Sequence, residues 1–203
     1  MAGLPMAAYA VGSIPWGAWI ARIWSGVDVR RSGSGNIGAT NVARLAGAGP
    51  GALTLLADTA KGAVPTAIAR ALYPGEPAFV CLVALAAFLG HLYPIYSRFR
   101  GGGKGVATAA GGFFAITPGG AAAAFLVFLL VACWSDRVSA GSLCAAAALP
   151  VIVWNATHRG VDCAAAAVVA VFVIWRHRKN IARLIDGSEP RMGGRPRPPA
   201  AGG

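Results

Sequence analysis

Two glycine-rich segments hold the residues of this sequence best suited to chemistry. The first, Ser32-Gly-Ser-Gly-Asn-Ile-Gly-Ala-Thr-Asn41 followed by Arg44, sets small polar donors on a backbone that glycine keeps adaptable. Such a loop can bring N–H groups to a phosphate while Ser, Thr, Asn and Arg add hydrogen bonds. By composition alone an ordinary Gly/Ser/Asn turn is the commoner reading. The second, Gly101-Gly-Gly-Lys-Gly105, offers an anion nest with a point charge. It lacks the Ser or Thr after the lysine, the GxxxxGK[ST] spacing and the preceding strand of a nucleotide-binding loop, which argues against nucleotide hydrolysis. Two readings stay open: an anion near Lys104 at a helix start, or a glycine turn with a snorkelling lysine.

Asp58 and Lys61, three apart, share one helix face inside an apolar run. Ionisable groups there are costly, so an ion pair, or a partner on another helix, ranks ahead of a substrate contact. His91 ends a similar run and reads first as a helix-packing hydrogen-bonder. Ser139 and Ser142 open a later apolar run, where serine is ordinarily a cap. Asn180, Arg183 and Glu189 fall in a basic tail with solvated faces. No Ser/His/Asp or Cys/His arrangement and no metal-ligand cluster stands out. His158 and Asp162 are separated by one residue fewer than the His and Asp of soluble-type glycerolipid acyltransferases. Cys81, Cys133, Cys144 and Cys163 lie in apolar stretches and read as small hydrophobes.

The elements that must position these residues are membrane helices. Hydrophobic residues make up 56% of the 203-residue chain and charged ones 12%, with a mean hydropathy of +0.60. Apolar segments fall at about 4–24, 52–72, 78–96, 119–134, 138–156 and 162–176, with a shorter one at 105–117. The net charge of +11 comes from basic residues beside these runs, as anionic lipid and the positive-inside rule require, so nucleic acid is not an expected partner.

Arg22, Arg30, Arg31 and Arg44 follow the first run, and Arg98, Arg100 and Lys104 follow the third, which puts the N-terminus outside. If Thr117-Pro118-Gly119-Gly120 breaks the stretch from Gly105 to Trp134 into two helices, the basic tail from Arg176 also lies inside. The expectation is an all-α integral membrane protein of seven transmembrane helices, some short or broken, with a cytoplasmic C-terminus. One domain covers 1–186, and a Pro/Gly/Arg-rich cytoplasmic tail over 187–203 reads as disordered. A membrane transporter of a small organic phosphate is the rival reading, weakened by sites at one face and the lack of an internal repeat.

Seven blocks in order, Gly12-Ser-Ile-Pro-Trp-Gly17, Gly33-Ser-Gly-Asn-Ile-Gly-Ala-Thr-Asn-Val42, Asp58-x-x-Lys-Gly62, Gly90-His91, Gly102-Gly-Lys-Gly-Val-Ala-Thr108, Val138-Ser-x-Gly-Ser142 and His177-Arg-x-Asn-Ile-x-Arg-Leu184, resemble the bacterial acyl-phosphate:glycerol-3-phosphate acyltransferases (PlsY). The resemblance implies a multi-pass enzyme of the bacterial cytoplasmic membrane, its active site facing the cytoplasm. The implied reaction moves a fatty acyl group from acyl phosphate to the 1-hydroxyl of glycerol 3-phosphate, giving lysophosphatidic acid and phosphate, the first step of phospholipid synthesis. It implies no cofactor and no metal, the lipid bilayer as surroundings, and a functional link to the enzyme that forms acyl phosphate. By position it implies roles at the reaction centre for Lys104, Arg44, Ser142 and His91, the last for binding or positioning. Substrate or phosphate contacts are implied for Ser34, Gly35, Asn36, Thr40, Asn41, Gly102, Gly103, Gly105, Thr108, Ser139, Asn180 and Arg183. Three glycines precede Lys104 where the family usually has two.

Overall fold

The computed structural model describes residues 3–192, and these residues fold into ten α-helices. In chain order they are α1 (Gly3–Gly12), α2 (Trp16–Ser25), α3 (Ala39–Ala46), α4 (Ala48–Leu72), α5 (Pro77–Leu92), α6 (Val106–Ile116), α7 (Pro118–Ser135), α8 (Val138–Thr157), α9 (Gly160–Arg176) and α10 (Arg178–Ile185). Three stretches are long and apolar enough to cross a membrane: Pro77–Ser97, Pro118–Ser135 and Val138–Thr157. The α9–α10 pair, bent by 60°, qualifies as a fourth when taken together. On α7 the apolar side chains Phe125, Leu126, Leu130 and Trp134 point outward, as a surface bathed in hydrocarbon allows and water does not.

α5 is the centre of the bundle. Its Val83, Ala87, Phe88 and Leu92 are almost fully buried and form one core with residues of α1, α4, α6, α8 and α9. Close helix crossings rest on glycine. A Cβ on Gly62 of α4 would overlap the Thr108 carbonyl of α6, and one on Gly111 of α6 would overlap the Thr59 carbonyl of α4. Gly12 of α1 and Gly90 of α5 make the equivalent approach. Without a hydrophobic driving force between helices in lipid, such backbone proximity supplies the packing energy.

The first apolar run, expected as one segment over 4–24, is two helices parted at Ser13-Ile14-Pro15. Proline lacks the N–H that would continue the ladder to the Val11 carbonyl, and at the break the Ile14 carbonyl accepts from Trp16 N–H and from Lys61 Nζ of α4, each at 3.0 Å. The expected break after Gly105 does occur, at Thr117. The turn is Thr117 alone: Pro118 is the first residue of α7, Gly119 and Gly120 sit inside its first turn, and the Thr117 hydroxyl accepts from Gly120 N–H. Of the tail over 187–203, residues 187–192 are placed, with Met192 N–H donating to Asp136 O at 2.9 Å, and 193–203 lie outside the described residues.

Candidate active site

The first glycine loop is folded by one side chain. Asn41, 3% exposed, donates to the carbonyls of Val29 (3.1 Å), Ser32 (3.3 Å) and Asn36 (2.9 Å) and accepts from Ser34 N–H (3.0 Å). Its hydrogen-bonding capacity is spent on the loop, so the expected phosphate contact for Asn41 gives way to a structural role. Asn36 likewise accepts from Gly38 N–H at 2.8 Å. Under the loop, Ala21, Val29, Ile37 and Val42 make a second small core. This leaves Ser34, Gly35 and Thr40 exposed and Arg44 half-buried on α3.

The second glycine loop is held from three sides. Gly103 N–H donates to the His91 carbonyl at 3.1 Å. The guanidinium of Arg176, at the end of α9, donates to Gly103 O (3.0 Å) and Gly102 O (2.5 Å). The His91 ring lies flush against Gly103, where any Cβ would overlap its Nε2. Gly105 caps α6 with φ at 82°, a conformation that glycine adopts without strain. The additional glycine, Gly101, occupies an exposed turn beside Arg30, so it leaves the packing of Gly102 and Gly103 intact.

Lys104 reaches from this loop to the tail. Its Nζ donates to Asn180 Oδ1 at 2.6 Å, Asn180 Nδ2 donates to Glu189 Oε1 at 2.6 Å, and Arg183 Nε meets Glu189 Oε2 at 2.7 Å. Arg137, just before α8, donates to the Glu189 carbonyl at 3.2 Å. Ser139, expected as a helix cap, is instead buried in the first turn of α8, with Arg137 at the cap position. Its buried hydroxyl lies beside the Glu189 carboxylate, whose charged form it favours, outside ideal hydrogen-bond geometry.

Electrostatics follow from this crowding. Burial pushes the Lys104 ammonium down to about 8, with Glu189 opposing the shift and Arg183, Arg44 and Arg176 adding to it. Burial raises the Glu189 carboxyl, but Ser139, Asn180 and Arg183 outweigh it and hold the group below its ordinary range. His177, 2% exposed, faces the Val173 carbonyl with Nδ1 at 2.8 Å, a contact in which the ring nitrogen must donate.

The helix-embedded polar groups serve packing. Asp58 and Lys61 pair at 2.9 Å, each at most 3% exposed by side chain, and His91 Nδ1 lies 3.7 Å from the same Asp58 oxygen. The ion-pair expectation for Asp58 and Lys61 holds, and His91 joins that pair to the glycine loop. Ser142 donates back to the Val138 carbonyl at 2.9 Å and is buried. Thr108, in the first turn of α6, is 1% exposed, and its hydroxyl has no partner among the described residues. Asp162 pairs with Arg159 at 2.7 Å and accepts from Cys81, so it shares no arrangement with His158 that could act on a substrate.

The structure thus gathers Arg44, Lys104, Ser139, Asn180 and Arg183 from four segments, α3, the second glycine loop, α8 and α10, into one cationic, donor-rich cluster. Sequence reasoning assigned no role to Arg176, His177 or Glu189. The signal for His177 was present in the His177-Arg-x-Asn motif, whereas Glu189 looked like one more solvated tail residue. A cluster of fixed cations and unspent donors with one carboxylate can hold phosphate groups and offset charge that develops on oxygen. Among the described residues no group of His, Cys, Asp and Glu could hold a metal ion.

The family profile described as "Glycerol-3-phosphate acyltransferase" matches residues 2–187. A protein of that name from Syntrophotalea carbinolica is 49% identical over 188 residues, covering 92% of this chain and 95% of its own. One from Geobacter sulfurreducens is 48% identical, covering 93% and 96%. Two solved structures, each 40% identical and covering 93% of both chains, superpose with TM-scores of 0.88 and 0.86. Both are of PlsY, an integral membrane glycerol 3-phosphate acyltransferase, one in the glycerol 3-phosphate form and the other in the lysophosphatidic acid form.

Proposed function

The chain belongs to the glycerol-3-phosphate acyltransferase family, and from that membership and the site's make-up we propose how it makes lysophosphatidic acid. It is an all-helical integral membrane enzyme that acylates glycerol 3-phosphate. The donor in our reading is acyl phosphate, and the acceptor is the 1-hydroxyl. That oxygen attacks the acyl carbonyl carbon, the bond from this carbon to the bridging phosphate oxygen breaks, and phosphate leaves. The hydroxyl proton passes to a phosphate oxygen of the substrate itself. No side-chain base is required, because the donor is already activated and the main demand is to hold two anions together.

The observation that carries this reading is the convergence of Lys104 and Arg183, with Arg44 and Arg176 within electrostatic range, on one half-buried spot. Lys104 and Arg44 offset the charge of the reacting phosphates, and Ser139, Thr108 and the exposed donors Ser34 and Thr40 complete their contacts. Asn180 and Arg183 close the site from the α10 side, an incoming phosphate competing with Glu189 for them. Gly35, Asn36, Gly102, Gly103 and Gly105 shape the loops, Ser142 supports the start of α8, and His91 positions the Lys104 loop.

The basic loops further suggest seven crossings, an external N-terminus and a site facing the cytoplasm of a bacterial plasma membrane. One transmembrane domain then covers 1–186, followed by a cytoplasmic tail. An enzyme that forms acyl phosphate must act before this one.

The test uses the purified protein with palmitoyl phosphate and glycerol 3-phosphate and no other protein or nucleotide. Equal release of phosphate and lysophosphatidic acid, lost in a folded Lys104→Ala protein, is the expected result. Turnover with palmitoyl-CoA but not with palmitoyl phosphate would refute the donor, and full turnover by Lys104→Ala would refute the assignment of that lysine.

A further inference from the structure

Arg176 enters the reading above only through its charge, yet it also grips the loop that carries Lys104. Its side chain is half-buried at the end of α9, immediately before the 60° bend into α10. The guanidinium takes two successive carbonyls, Gly102 O at 2.5 Å and Gly103 O at 3.0 Å. In a trans peptide the C=O and the following N–H point in opposite directions. Fixing Gly102 O toward Arg176 therefore turns Gly103 N–H away from it, and that N–H meets the His91 carbonyl at 3.1 Å. Fixing Gly103 O in the same way turns the Lys104 N–H away from Arg176. That N–H has no acceptor among the described residues.

We propose that Arg176 is a positioning residue: by clamping the Gly102 and Gly103 carbonyls, it presents the Lys104 backbone N–H, together with the Lys104 ammonium, to the phosphate of a substrate. The proposal rests on the phosphate-site reading above. A second observation points to the same place. The buried Thr108 hydroxyl, one turn into α6 beyond the capping Gly105, is also unpartnered and supplies another donor at that helix start. The clamp needs a planar fork that donates to two acceptors in fixed geometry, which a lysine cannot reproduce.

The test uses inorganic phosphate as probe on the detergent-purified full chain, with Arg176→Lys and Arg176→Gln variants. The readouts are the phosphate concentration that half-saturates the rise in unfolding temperature, the inhibition constant of phosphate, and KM against kcat. Loss of one well-aimed donor raises the phosphate midpoint and the KM for glycerol 3-phosphate about tenfold in both variants, with kcat changed less. If both variants unfold at lower temperature but keep phosphate midpoint and KM within about twofold of wild type, Arg176 is only a strut and the proposal fails. Hydrogen exchange on the wild type decides the case if neither variant folds. Phosphate should slow exchange in a peptide covering 103–106, and unchanged exchange overturns the proposal. Wild-type turnover is scored separately, so an inactive but phosphate-protected protein would refute the acyltransfer reading and leave the Arg176 geometry standing.

Discussion

Replacing Glu189 by glutamine should move the alkaline limit of activity, because the phosphate contact proposed for Lys104 requires the lysine to carry its charge. Its ammonium is pushed down to about 8, lowered by burial and by Arg183, Arg44 and Arg176 and supported by the Glu189 carboxylate. The sign follows directly. A carboxylate favours the charged lysine, so its removal lowers the lysine pKa and the activity limb moves to lower pH. Two hydrogen bonds of 2.6 Å through Asn180 separate ammonium from carboxylate. At about 7 Å and an effective dielectric near 20, the interaction is about 2 kcal/mol, and solvent around the tail reduces it to about 1.4, or one pH unit.

At pH 8 half of the wild-type molecules keep the charge, against about one in ten of the variant, a roughly fivefold loss of kcat/KM. At pH 6 both remain charged and the profiles converge. The assay is initial-rate phosphate release from palmitoyl phosphate across pH 6–9.5, with Glu189→Asp as the charge-retaining control. A uniform loss at every pH, or a limb that stays in place, would refute this reasoning and reduce Glu189 to a fold element.

Two further outcomes follow from packing. Gly103→Ala puts a Cβ into the His91 ring, so the Lys104 loop must shift. A displacement on the order of 1 Å costs about a hundredfold in kcat/KM, and retention of a third of the wild-type value would show that the loop can yield. Asp58→Leu leaves Lys61 charged, buried and without its carboxylate partner. It should cost about 3–5 kcal/mol, read as a lowered unfolding temperature, and most of the loss should return in the Asp58→Leu/Lys61→Met double variant.

Much of this protein was legible along the chain. Apolar runs of membrane length need only composition, and the break before Pro118 needs only the chemistry of proline at a helix start. The donor-rich loops suggested an anion site by residue type, and the order of the seven motif blocks carried the family resemblance. The same local reasoning overlooked the break at Pro15, where the Ile14 carbonyl takes a hydrogen bond from Lys61, a residue 47 positions away.

What tertiary structure decided is which polar groups are spent and which remain available. Asn41 and Ser34 belong to the same loop, yet only the fold shows that the Asn41 side chain is consumed by three carbonyls and an amide. Glu189 reads from sequence as a solvated tail charge, and joins the proposed site because residues 187–192 return to α10 and to the start of α8. Lys104 meets Asn180 across 76 residues, and Arg176 meets Gly102 across 74. Residue type fixes how many hydrogen bonds a side chain can make. Which partners it meets depends on helix crossings set by backbone-to-backbone packing between distant segments, and that packing has no local signature in the sequence.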